Sequence, residues 1–191
     1  KAETLYKAGK SAEGVVFAER AAAVAEHQLG PNHLAMAPLL DDIARLRYRL
    51  GQYTEAEPSY RRALVIRERA LGGEHLDVAA TLNELAVFLH EQGRYDDVEP
   101  LLKRSLAIRE RTLGPEHADV GTTLNNLGVL YAAQGRYAEA EVQLLGAYDV
   151  LAKSDQMEPA RRYIAGNLVK TYRGWGKPEK AADAYAKVAK E

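Results

Sequence analysis

A 42-residue interval runs through this chain and limits what it can fold into. Leu29-Gly30, Leu71-Gly72 and Leu113-Gly114 are 42 residues apart, and so are His33, His75 and His117. Gly9, Gly51, Gly93 and Gly135 keep the same step, with Tyr53, Tyr95 and Tyr137 two residues after the last three. A fixed period of roughly 20 to 50 residues marks a solenoid, in which each unit stacks on its neighbours. The period divides the chain into a single array over 1–191: a partial leading repeat at 1–29, full repeats at 30–71, 72–113 and 114–154, and a divergent capping repeat at 155–191.

Within a repeat the apolar residues predict two helices. Leu82, Leu85, Ala86 and Leu89 follow i, i+3, i+4, i+7 and give one stripe. Gly93 ends that helix, and Tyr95, Val98, Leu102 and Leu106 begin a second stripe. Helices joined by so short a turn pack antiparallel. Burial at about 25 cal/mol per Å² must offset a conformational cost of similar size, so a lone repeat is expected to be unstable. Pro58 and Pro100 fall early in the second helices, where a proline is tolerated. KAETLYKAG at the start reads as the second half of a first helix. VLAKSDQ at 150–156 breaks the pattern, and Asn167-Leu168 lies 41 rather than 42 residues after Asn126-Leu127.

Composition narrows the function classes. With 26 basic and 27 acidic residues the net charge is −1, so no global field favours nucleic acid or an anionic membrane. The absence of cysteine excludes disulfides and thiolate metal sites and leaves the compartment open, with the cytoplasm the default over export. No apolar run reaches the roughly 20 residues that span a bilayer, so membrane insertion is not expected. There is no P-loop, dinucleotide fingerprint, HExxH or nucleophile elbow, and neither an enzyme nor a cofactor is expected.

The spacing of Leu82, Leu85, Ala86, Leu89, Gly93, Tyr95, Val98 and Leu106 resembles the tetratricopeptide repeat. LGGEH at 71–75, VAATLNELA at 78–86, QGRY at 92–95, AEP at 56–58 and ALVIRER at 63–69 resemble the 42-residue variant of kinesin light chains and of many bacterial repeat proteins. The resemblance implies an all-α, right-handed superhelical solenoid of helix-turn-helix repeats whose first helices line a concave groove. It implies no motor-adaptor role, since nothing here resembles the coiled coil that joins a light chain to its motor.

On that architecture the groove face carries Asp41, Arg45, Tyr48 and Arg49 in the first full repeat, Asn83, Val87 and His90 in the second, Asn125 and Val129 in the third, and Lys170 and Arg173 in the last. An asparagine both donates and accepts, so it can pair with a peptide group whatever the ligand's sequence. By resemblance to kinesin light chains, Asn83 and Asn125 take the role of peptide-reading asparagines. The partner so implied is a protein or peptide segment, acidic and with an apolar anchor, lying extended in the groove. The alternative is a scaffold that self-associates through repeat ends or the convex face. The three turn histidines lie one repeat, roughly 10 Å, apart, too far to share a metal held at about 2 Å; they are expected to fix the turn before each first helix. The RER runs at 67–69 and 109–111 are expected to be structural.

Overall fold

The computed structural model describes residues 11–152 and 158–189, without the side chains of Glu158 and of 185–189. The half-helix expected at 1–9 lies outside these residues, as does most of the break expected near 150–156. The described residues are α-helical apart from short turns: α1 (Ser11–Leu29), α2 (Met36–Arg49), α3 (Tyr53–Leu71), α4 (Leu76–Glu91), α5 (Tyr95–Leu113), α6 (Ala118–Ala133), α7 (Tyr137–Ala152), α8 (Glu158–Gly174) and α9 (Pro178–Ala189). Among the described residues these make four helix pairs behind a leading helix, an all-α fold. The chain forms two compact units, Lys1–Phe88 and Leu89–Glu191, and the boundary falls inside α4.

Each pair is joined by a three-residue turn closed in one way. In the α4–α5 turn, Gly93 takes φ +72°, its amide donates to the His90 carbonyl at 2.9 Å, and the Arg94 amide donates to the Leu89 carbonyl at 3.1 Å. That bonding satisfies the last carbonyls of the helix and needs a left-handed residue, which glycine supplies without a Cβ penalty. Between repeats the histidines bond the backbone at the start of each first helix, and His117 caps α6. The Nδ1 atoms of His33, His75 and His117 accept the amides of Ala35, Asp77 and Asp119 at 3.2, 3.1 and 3.1 Å.

In the first unit α2 packs against α1 and α3. Val15, Ala18 and Ala22 of α1, Met36, Leu40, Ile43 and Leu46 of α2, and Ala63 and Ile66 of α3 form its core. In the second unit Leu144, Ala147 and Leu151 of α7 meet Ile164, Leu168 and Tyr172 of α8 and Ala181 and Ala184 of α9. Leu82, Leu85, Ala86 and Leu89 are buried, as their stripe requires. Pro58 and Pro100 lie five residues past the helix starts, one turn deeper than the free amides of a helix N-terminus, and both are exposed. The ring therefore projects into solvent rather than into a neighbouring helix.

Candidate functional site

The core-facing residues of α2 leave Asp41, Arg45, Tyr48 and Arg49 on its remaining sides. Asp41 is nevertheless buried, 7% exposed, because Arg67 reaches it from α3: Nη2 donates to Oδ2 at 2.5 Å. The same guanidinium donates to Thr81 Oγ1 on α4 at 2.7 Å, so one arginine ties three helices together. Burial pushes the Asp41 carboxyl up, against the pull of Arg67. Arg45 donates to Asp42 at 2.6 Å and lies 3.7 Å from Glu84 on α4. Glu84 is pushed up by burial and by the Asp41 charge. Asp41 Oδ1 and Glu84 Oε2 are buried atoms without a hydrogen-bond partner. The Tyr48 ring, 5.7 Å from that of Tyr53 and 6.1 Å from that of Phe88, belongs to an aromatic cluster. Arg49 is exposed, Asn83 half-buried and Val87 40% exposed.

In the second unit His90 packs on Tyr95 with ring centroids 5.2 Å apart. Its Nε2 is buried without a hydrogen-bond partner, and burial holds its pKa below the ordinary histidine value. Asn125 is 5% exposed; its Oδ1 accepts Asn167 Nδ2 of α8 at 2.9 Å, and its Nδ2 donates to Asn126 Oδ1 at 3.2 Å. The amide is thus already engaged in a pairing of two first helices. Val129 is half-buried. Lys170 and Arg173 are exposed on α8, on a face with Tyr163, whose residue is 64% exposed, and Gly166, beyond which nothing lies within 4 Å of where a Cβ would sit.

The structure therefore gathers Asp41 and Arg45 in one unit and Lys170 and Arg173 in the other. It adds Glu84, Arg67, Asn167 and Tyr163. Glu84 was detectable as a carboxylate wedged between the stripe residues Leu82 and Leu85, and Tyr163 as the residue one helical turn before Gly166 and two before Lys170. Arg109 repeats the part of Arg67, donating to Thr123 Oγ1 at 2.7 Å and to the Asp119 carbonyl at 2.9 Å. Among the described residues no group of three His, Cys, Asp or Glu could hold a metal ion, and no helix is long and apolar enough to cross a membrane.

The tetratricopeptide-repeat model matches residues 1–69, 36–108 and 77–153. The chain belongs to the tetratricopeptide-repeat family. Its fold is similar to that of BtubC (BKLC) from P. vanneervenii, with a TM-score of 0.87 and 23% identity over 99% of this chain and 76% of that one. A protein of Podosopora anserina with nearly identical kinesin-light-chain TPR-like repeats gives a TM-score of 0.85 and 25% identity, covering 98% and 89%. The apo form of RapI gives 0.79 and 18%, covering 99% and 66%, a likeness of fold alone. No curated protein matches the sequence. The tetratricopeptide repeats here are thus of the kinesin-light-chain kind, in a family whose members generally serve as protein-interaction modules and non-enzymatic scaffolds.

Proposed function

We propose that this tetratricopeptide array binds an extended, acidic segment of a partner protein along the faces of its first helices. The observation that carries this reading is the face of α8. Lys170 and Arg173 are exposed there with no ion pair among the described residues, next to the exposed ring of Tyr163 and the open space over Gly166. Elsewhere the arginines of first helices are matched: Arg45 is held by Asp42 and Glu84. Acid recognition therefore falls to Lys170 and Arg173, with Tyr163 available to an apolar anchor. Rigid helices hold these side chains in place before the ligand arrives, which lowers the ordering cost of binding. Asn83 is half-buried on α4, and Asn125 serves Asn167, so neither amide carries the acid recognition.

The test is a pull-down from source-cell lysate with wild type and Lys170→Glu/Arg173→Glu side by side, both confirmed helical by circular dichroism. A partner held by wild type and lost by the variant supports the reading; the Asn83→Ala variant then measures the asparagine's share. A partner retained by both variants sinks it. Self-association is the second reading, favoured by α1, where Val16, Phe17 and Val24 are 49%, 37% and 57% exposed. Sedimentation over a concentration series separates the two, since self-association gives a dimer without any ligand.

A further inference from the structure

A cleft of about 520 Å³ opens in the second unit between α7 and α9, with α8 as its floor. That size lies within the roughly 300–1,000 Å³ typical of ligand sites. Its α7 wall is a single helical stripe, Glu141, Leu145 and Tyr148 at i, i+4, i+7, with Asp149 beside it. Leu168 and Tyr172 floor it, and Lys180 and Asp183 stand on the α9 wall. The cleft is apolar at its base and charged at its rim.

Among the described lining residues the charge does not cancel, and Lys177, close enough to pull the Glu141 carboxyl down, offsets only part of it. Lys180 Nζ donates to Glu141 Oε1 at 2.6 Å, and the Tyr172 hydroxyl donates to the same oxygen at 2.8 Å. These two bonds hold the Glu141 carboxyl below the usual range and leave the Glu141–Lys180 pair neutral. Asp149 and Asp183 remain, both exposed, with no ion pair among the described residues. An acidic ligand would be repelled here, and a purely apolar one would leave two carboxylates at the edge of a desolvated contact. A cation on an apolar stem suits both the floor and the rim. The Tyr172 ring already accepts a cation, since Lys180 Nζ lies 5.5 Å from its centroid.

We infer that this cleft is a second docking site, which takes a partner segment carrying a lysine or arginine next to a bulky apolar side chain. It uses a different face of α8 from Lys170 and Arg173 and selects the opposite charge, so it stands or falls independently of the acidic-segment reading. The experiment follows backbone amide shifts of the whole ¹⁵N-labelled chain during titration with acetyl-Leu-Arg-Trp-amide and, separately, acetyl-Leu-Glu-Trp-amide. The arginine peptide is expected to move the amides of Leu145, Tyr148, Leu168 and Asp183 saturably, and the glutamate peptide at least tenfold less tightly. Asp149→Asn/Asp183→Asn, which changes exposed side chains only, should weaken the arginine peptide at least tenfold, whereas Lys170→Glu/Arg173→Glu should not weaken it. Equal binding of the two peptides, no saturable shift at these amides, or an Asp149→Asn/Asp183→Asn variant that binds as wild type does would each overturn the inference.

Discussion

His117 precedes α6 in extended backbone, φ −75° and ψ 143°, and its Nδ1 takes the Asp119 amide. A helix N-terminus leaves four amides without carbonyl partners, and a side-chain acceptor at this position satisfies one of them. His117→Ala is therefore expected to cost about 1 kcal/mol and His117→Ser to restore most of it, both read as midpoint shifts in urea denaturation at constant m-value. A histidine kept for any reason other than its acceptor would leave the serine variant as weak as the alanine one. The capping role was readable from the 42-residue spacing because a cap bonds within two residues of itself. Residues whose partners come from another helix were less legible. The sequence offers Asn125 as a ligand-reading amide, whereas the structure bonds it to Asn167, 42 residues on. The sequence likewise offers Arg45 as an available cation, and Glu84 on another helix lies close to it.

Helix pairing in the second unit rests on small residues as much as on the leucines. A Cβ at Gly128 of α6 would lie 2.5 Å from Leu144 Cγ and 3.2 Å from the Ala140 carbonyl oxygen, both on α7 and both inside contact distance. A Cβ at Gly146 of α7 would lie 3.7 Å from Leu124 Cδ1, an ordinary contact. The same substitution should thus have opposite signs. Gly128→Ala forces α6 and α7 apart and is expected to destabilise by about 1–3 kcal/mol, less the gain in helix propensity. Gly146→Ala keeps that gain alone, about 0.5–1 kcal/mol. Thermal or urea unfolding of the two single variants decides it, and a stabilised Gly128→Ala would mean the two helices are not held at this separation. Apolar stripes, turn glycines and pair count could all be read along the sequence, since helical periodicity is local. Which glycine marks a close approach could not, because the atom that forbids a Cβ sits in the facing helix.

Glu99 of α5 is shared by three donors from the following helix pair and from its own helix: Arg136 at 2.7 Å, Lys103 at 2.7 Å and the Tyr131 hydroxyl at 3.0 Å. Arg136, then Lys103, hold its carboxyl down to about 2. A depressed carboxylate stabilises the fold in full above its unfolded value of 4.5 and loses that contribution as pH falls towards 2. Glu99→Gln should therefore be less stable than wild type at pH 7, with the gap closing as the pH drops below 4.5. Stability measured by urea denaturation from pH 7 to pH 2 checks this, and a gap independent of pH would show that the lost interaction is not the ionised one. Glu141 repeats the arrangement with Tyr172 and Lys180, as Arg109 with Thr123 repeats Arg67 with Thr81. Bonds that recur at the repeat distance make the chain a set of interchangeable parts: an extra copy of 72–113 spliced after Leu113 would bring its own threonine to the arginine before it and its own arginine to the threonine after it. Length is then a quantity that duplication can adjust in whole steps, with the arginine–threonine bond of each new joint already specified.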